Sequence, residues 1–268
     1  MIPALVLTAG LATRLRPLSL VRAKAAVPIG DRAIVQRILQ WLAVCGVTNA
    51  VLNLHHLPHT ITRIVGDGAG EGVRVRYSWE MPVLGSAGGP RRALSILGGS
   101  TFLVVNGDTL TNVDLGALVD AHMKSGALVT MAVIPNTEPA KYGGVVVDPE
   151  GVVSGFTRAG SSERSFHFVG VQVAQAEAFG SLPDNIAAES VKDLYPSLIA
   201  ARPGSIRASV TDAEFFDIGT PRDYFDTCMH FRALESRIPN PGQNPGSKTA
   251  SFGTMCRSIL APGCGAAS

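Results

Sequence analysis

The chain has 268 residues, of which 46% are hydrophobic and 16% charged, and its formal net charge is +2. That length and apolar content suit one large α/β domain, with or without an appendage, and the near balance of charge excludes a dedicated nucleic-acid or anionic-membrane binder. No apolar run reaches the length of a membrane span, and the apolar start runs into arginines without a basic leader, unlike a signal peptide. Cys45, Cys228, Cys256 and Cys264 show no CxxC spacing, which fits reduced thiols and a cytoplasmic location better than a disulfide frame or a zinc site.

Residues 2–7 form an apolar run of strand length. It breaks at Thr8-Ala9-Gly10, small residues that let backbone come close to a ligand. Arg14, Arg16, Arg22 and Lys24 follow with no acidic residue before Asp31. Uncompensated cations after a buried strand suit a polyanionic phosphate, or more plainly a solvated basic loop. Apolar spacing then predicts a helix over 33–44, a strand over 50–54, a short helix over 61–65 and a strand over 73–79. His55, His56 and His59 invite a metal, but no acidic or cysteine partner is near, so an exposed turn and helix start is the better reading. The Gly85-Ser86-Ala87-Gly88-Gly89 segment before a helix over 91–97 can offer backbone N–H groups to an anion or a base edge.

Residues 101–105 read as a central strand ending in Asn106-Gly107-Asp108. An acid at the carboxyl end of a parallel strand lies where ligands bind in open α/β sheets. Asp108 is either a turn residue or a hard-oxygen ligand for Mg²⁺. Asp114 should cap a helix over 115–124. Strands over 128–134, 152–156, 166–173 and 206–210 follow, with a helix over 190–198 and a short strand at Phe215-Phe216. Thr220 as N-cap and Pro221 at the first position then start a helix over 222–234. The tail from residue 237 is rich in Pro, Gly, Asn and Ser and reads as a linker.

The stretch Leu7-Thr8-Ala9-Gly10-Leu11-Ala12-Thr13-Arg14-Leu15-Arg16-Pro17-Leu18-Ser19, followed by Lys24 before Val27-Pro28-Ile29-Gly30, resembles the opening signature of the sugar-1-phosphate nucleotidyltransferases, the nucleoside-diphosphate-sugar pyrophosphorylases. Further on, Glu80 to Gly88, Asn106-Gly107-Asp108, Tyr142-Gly143 and Asp217-Ile218-Gly219-Thr220-Pro221 are similar to later motifs of the same family. The resemblance covers residues 1 to about 234. It implies a Rossmann-like (GT-A-like) α/β domain over 1–236, a mostly parallel twisted sheet flanked by helices with its site at the strands' carboxyl ends. Residues 257–264 faintly resemble one turn of the hexapeptide β-helix that some members append, so 237–268 would be a tail or the stump of such a domain. Ala9 and Ala12 replace family glycines, Ala25 replaces a proline, and Arg158 stands where the family carries a sugar-binding glutamate. Alanine at a positive φ is unfavourable, so Ala9 and Ala12 should either avoid that region or reshape the loop.

What the resemblance implies chemically is transfer of a nucleotidyl group from a nucleoside triphosphate to a sugar 1-phosphate, with Mg²⁺ and release of pyrophosphate. Arg14 and Lys24 would be catalytic. Leu7, Thr8, Ala9, Gly10, Thr13, Gly85 and Ser86 would seat the nucleotide. Tyr142, Gly143, Arg158, Gly170 and Glu189 would lie on the sugar side, and Asp108 and Asp217 would hold the metal. Several segments look most like mannose- or heptose-1-phosphate guanylyltransferases. A catalytically inactive regulatory homologue of the same fold is the alternative, and assembly into a homo-oligomer is left open. A dinucleotide-dependent oxidoreductase fits poorly, because Gly10-Leu11-Ala12 does not satisfy G-x-G-x-x-G.

Overall fold

The structure, a computed structural model, describes residues 1–235. The expected tail, with Cys256 and Cys264, lies outside the described residues. Strand β1 (Ala4–Leu7) leads through a loop of short 3₁₀ turns to a small hairpin, β2 (Pro28–Ile29) and β3 (Arg32–Ala33), and then helix α1 (Ile34–Val44). β4 (Asn49–Leu54), α2 (Pro58–Val65), β5 (Arg74–Trp79) and α3 (Gly85–Leu97) follow, then β6 (Thr101–Asn106), β7 (Thr109–Thr111) and α4 (Leu115–Ser125). The second half runs β8 (Val129–Pro135), β9 (Gly144–Val147), β10 (Val153–Thr157), β11 (Phe166–Gln175) and α5 (Glu177–Gly180). A π-helical turn (Ser190–Leu194) leads into α6 (Tyr195–Ala201), β12 (Ile206–Val210), β13 (Phe215–Asp217) and α7 (Pro221–Glu235).

The main sheet runs β10-β9-β11-β6-β1-β4-β5, with β8 bridging β11 to β12. β6, β1, β4 and β5 are parallel, as are β8 and β12, while β11 runs antiparallel to β6 and β8. The result is a mixed, mostly parallel sheet of the expected α/β class. The central parallel strands β1, β4 and β6 are mostly buried because both faces are covered, whereas the edge strand β5 alternates buried and exposed residues. Ala4 and Val6 of β1 join a core with residues of α1, α2, α4 and α7, and Leu5 joins a second core with residues of α3, α5 and α6.

From β1 the chain moves outward through β4 and β5, then returns to place β6 on the other side of β1. The carboxyl ends of β1 and β6 therefore diverge into different loops, which is where an open α/β sheet forms its crevice. Leu7 sits in register between Asn53 of β4 and Asn106 of β6.

Helix α3 begins at Gly85, six residues earlier than its apolar spacing suggested. The segment Gly-Ser-Ala-Gly-Gly has weak intrinsic helix preference. Tertiary bonds hold it: the N–H groups of Ala87 and Gly88 donate to Ala188 O at 2.9 and 3.2 Å. A Cβ on Gly88 would lie 2.5 Å from Ile186 O, so the close approach of this segment requires glycine there.

Gly107 is a second point of close approach. Its N–H donates to Leu7 O at 2.9 Å, and an added Cβ would sit 2.5 Å from that oxygen and 2.9 Å from Thr8 Cγ2. Gly107→Ala should therefore push β1 and β6 apart at the crevice and lower the free energy of unfolding by about 1–3 kcal/mol, as overpacking does. Denaturant unfolding measures it, and an unchanged midpoint would refute the contact.

Candidate active site

Two cavities lie toward the carboxyl edge of the sheet. The first, of about 500 Å³, is walled by the loop after β1, the end of β6, and the start of α3. Leu7, Thr8, Ala9, Gly10, Thr13, Arg14, Lys24, Gly85, Ser86, Asp108 and Glu189 all line it. The second, of about 420 Å³, lies between β8, β11, β13 and α7, and Tyr142 and Asp217 line it.

The cationic loop is shaped by what it buries. Leu15 is fully buried and anchors the turn that carries exposed Arg14. Ala23, Ala25 and Ala26 are buried around Lys24, so a turn of small residues projects that lysine into the crevice. Lys24 Nζ lies 2.6 Å from Asp108 Oδ2. Ala9 keeps an ordinary backbone conformation, whereas Ala12 adopts the left-handed one, with φ 48° and ψ 44°. Left-handed backbone at a non-glycine residue costs about 1–2 kcal/mol, so the loop retains the backbone conformation that a glycine would adopt freely.

Asp217 reaches the same place from the far end of the chain. β13 pairs antiparallel with β7, which sets Asp217 opposite Thr109, and the Ile218 N–H donates to Asp108 O at 3.2 Å. Burial raises the Asp217 carboxyl above its ordinary value, and the neighbouring charge of Asp108 adds to this, while Lys24 and Arg14 pull the other way. Two carboxylates brought together in this way, with a lysine between charges, make an oxygen-rich seat for a hard divalent cation. Among the described residues no group of three or more histidines, cysteines or acids could hold a metal. Asp108 and Asp217 are two carboxylates, and Mg²⁺ is commonly held by one or two carboxylates together with substrate phosphates. His55 and His56 are otherwise engaged, facing the carbonyl oxygens of Glu80 and Ser19 at 3.0 and 2.7 Å.

A buried polar chain fixes one wall of the first cavity. The Thr8 N–H donates to Asn53 Oδ1 at 2.6 Å and its hydroxyl donates to the Asn53 carbonyl. Asn53 Nδ2 donates to Glu80 Oε1 at 2.7 Å, and the Leu84 N–H donates to Glu80 Oε2 at 2.7 Å. Asn53 and Glu80 both line the first cavity. Neither was singled out as a site residue from the sequence. Asn53 is the penultimate residue of β4, the neighbour of β1, and Glu80 follows the end of β5, the next strand out, and opens the Glu80 to Gly88 segment noted in the sequence.

The remaining expected residues are distributed as follows. Glu189, placed on the sugar side by the resemblance, lies on the first cavity, where its carboxylate accepts from Ser86 Oγ at 2.6 Å. Gly143 lies behind Tyr142, packed so that a Cβ would meet Thr157 O at 2.7 Å. Gly170 has φ +79° in the irregular stretch of β11, against the Asn106 side chain. Arg158 is exposed after β10 and lines neither cavity.

A family model described as nucleotidyl transferase matches residues 3–233. The chain belongs to that family. Among its relatives, a mannose-1-phosphate guanylyltransferase of Mycobacterium tuberculosis is 28% identical over 224 residues, covering 83% of this chain and 62% of that protein. A UTP–glucose-1-phosphate uridylyltransferase of Synechocystis is 28% identical over 259 residues, covering 91% and 66%. The chain thus spans less than two thirds of the length of these relatives. The structure of HddC from Yersinia pseudotuberculosis complexed with GMP-PN superposes with a TM-score of 0.76 at 24% identity, covering 86% of this chain and all of that one, a likeness of fold. Among the described residues no helix is long and apolar enough to cross a membrane.

The raised Asp217 carboxyl has a consequence for stability. Its folded state holds a proton more tightly than the unfolded chain, so ionisation weakens the metal-free fold above the raised value, and this loss disappears as pH falls below the ordinary aspartate range. Asp217→Asn should raise the melting temperature of the metal-free nucleotidyl transferase at pH 7, and the gain should vanish in acid. A melting temperature that falls at pH 7 would count against the described environment.

Proposed function

We propose that this nucleotidyl transferase joins a nucleoside triphosphate to a sugar 1-phosphate, releasing pyrophosphate and a nucleoside-diphosphate sugar, with Mg²⁺ as cofactor. The observation that carries the reading is the grouping of Arg14, Lys24 and Asp108 on the first cavity, with Lys24 paired to Asp108 and all three charges acting on Asp217 of the second. The first cavity would take the nucleotide and the second the sugar. A cytoplasmic location, with its supply of triphosphates, belongs to the same proposal.

In this reaction a phosphate oxygen of the sugar 1-phosphate forms a bond to the α-phosphorus, and the bond from that phosphorus to the bridging oxygen breaks, its electron pair leaving with pyrophosphate. The nucleophile is already an anion, so no proton need be removed. The difficulty is to bring two anions into line and to steady the charge that develops. Lys24 would hold the α-phosphate and the incoming phosphate together, once drawn off Asp108. Arg14 would hold the departing pyrophosphate. Asp108 and Asp217 would hold Mg²⁺, which supplies charge neutralisation when bound. The Thr8–Gly10 backbone, braced by Asn53, would seat the nucleoside.

The base is proposed to be guanine, and the product of GDP-mannose type. Glu80 presents two carboxylate oxygens, each already accepting one protein N–H, on the cavity wall. Carboxylates accept and never donate when ionised. Guanine offers adjacent N1–H and N2–H donors to such a pair, whereas uracil flanks its single N3–H with carbonyl oxygens that would be repelled. The relatives named as mannose-1-phosphate guanylyltransferases support this choice.

Pyrophosphate release measured across GTP, UTP, dTTP, ATP and CTP with several sugar 1-phosphates tests the reading. Release should require one of each, and triphosphate binding without turnover would instead identify a regulatory homologue. Asp108→Asn should lose at least about a hundredfold in kcat, and Lys24→Ala should be nearly inactive with its fold intact. Wild-type turnover in either variant would remove that residue from the chemistry. Glu80→Gln should cut the kcat/KM ratio of GTP to UTP by about tenfold or more, the size of one lost discriminating contact; an unchanged ratio would refute the base assignment.

A further inference from the structure

Asp217 is followed within one turn by another acid that lines the second cavity, Asp223. The turn between them is tight. An added Cβ on Gly219 would lie 2.9 Å from Asp217 Oδ2 and 3.3 Å from Asp223 Oδ2, so the two carboxylates flank the bare backbone of that glycine. Asp223 Oδ2 accepts from Thr220 Oγ1 at 2.8 Å, and the Asp223 N–H donates back to Thr220 Oγ1 at 3.2 Å. These two bonds close the first turn of α7 and fix the segment that follows Asp217.

The other oxygen of Asp223 binds a different part of the chain. Lys141, on the connection between β8 and β9, has its Nζ 2.8 Å from Asp223 Oδ1 and 4.9 Å from the centre of the Tyr142 ring. Burial pushes the Asp223 carboxyl up, but the hydrogen bonds from Lys141 and Thr220 outweigh it and hold the group below its ordinary value. The bond to Asp223, and then the contact with Tyr142, raise the Lys141 ammonium above its own. Tyr142 also touches His167, with ring centroids 4.3 Å apart, and meets Phe215 edge-on at 5.8 Å. Phe215 lies two residues before Asp217 on β13. The segment around Asp217 therefore meets Tyr142 twice, once through Phe215 and once through Asp223 and Lys141. The Lys141 side chain is 45% exposed and that of Asp223 14%. An ion pair open to water on one side adds little stability. What this pair fixes is geometry, because it ties Tyr142 to the start of α7.

We infer that Asp223 is a positioning residue that acts through Lys141 to hold Tyr142 in place on the wall of the second cavity. Neither member of the pair takes part in the transfer. Together they set how well the ligand of that cavity is held. The inference rests on the proposed transfer reaction, because that reaction gives the second cavity to the sugar 1-phosphate.

The experiment uses the full chain, with mannose 1-phosphate and glucose 1-phosphate as sugars and GTP and UTP as triphosphates. It reads kcat and both KM values for pyrophosphate release. Sugar 1-phosphate affinity is read separately by calorimetry, with Mg²⁺ and non-hydrolysable analogues of the triphosphates. Asp223→Asn keeps an acceptor for Thr220 and removes the charge that grips Lys141. It should raise KM for the sugar 1-phosphate by about tenfold, as a misplaced positioning contact does. Lys141→Met should raise it equally, while its kcat and triphosphate KM change by less than about twofold, the pattern of lost uniform binding. The double variant should be no worse than either single one, because both break the same link. Lys141→Arg, which can still pair with Asp223, should recover most of the loss. Lys141→Met leaves the bonds between Asp223 and Thr220 in place, so it decides the point even if Asp223→Asn fails to fold. A direct contact between Lys141 and the ligand phosphate would give the opposite sign, since Asp223→Asn would free the ammonium and lower KM. That result, additive losses in the double variant, equal rises in both KM values, or an unchanged sugar KM in Lys141→Met would overturn the inference. Absence of release in the wild type, joined to calorimetric loss of sugar 1-phosphate binding in both single variants, would overturn the transfer reading and keep the positioning role. Absence of sugar 1-phosphate binding by the wild type would overturn both.

Discussion

Electrostatic repulsion between two acidic groups organises this site. Asp108 lies in the turn between β6 and β7 and Asp217 ends β13, more than a hundred residues later, and the β7–β13 pairing forces them to the same edge. Left alone, two partly buried carboxylates would drive their strands apart or take up a proton. Lys24 stands against Asp108 at 2.6 Å and offsets part of that repulsion. Its position depends in turn on the turn of buried alanines around it. The basic loop, the split in strand order and the short ribbon are thus parts of one arrangement, in which cations and anions are held at a spacing that phosphates can complete.

The opposite wall solves a different problem, that of keeping a loop of small residues in one shape. Thr8 has little side chain with which to anchor itself by packing. Hydrogen bonds to Asn53 do this instead, and Asn53 is steadied by Glu80, which also caps the approach to α3 through the Leu84 N–H. Gly89 permits that approach, since a Cβ there would lie 2.7 Å from Glu80 Oε1. Four segments of the sheet edge are joined by a chain of bonds with hardly any solvent in contact, which makes each link costly to break.

Much of this was legible in the sequence, for identifiable reasons. The central strands β1 and β6 announce themselves as apolar runs, and Asp108, Lys24 and Arg14 lie in local patterns whose spacing survives folding. Asp114 caps α4 as its residue type predicts, accepting from the Ala117 N–H at 2.9 Å. What was not legible depends on tertiary contact. The early start of α3 comes from a carbonyl a hundred residues away. The contacts of Asn53 and Glu80 require knowing which strand ends meet. Glu189 illustrates the same limit: its residue type was noticed, and its contact with Ser86 on the first cavity shows only in the structure.

The left-handed Ala12 bears on how the loop behaves before any ligand arrives. A glycine at that point could wander through both halves of backbone conformational space, so the empty loop would be an ensemble that binding must narrow. Alanine has one small left-handed well, and its methyl group packs against the core. The same backbone shape is therefore held in a shallower but narrower basin. The loss of freedom that a glycine loop would suffer on ordering is here largely built in at folding, so the loop backbone along the first cavity is a more rigid edge.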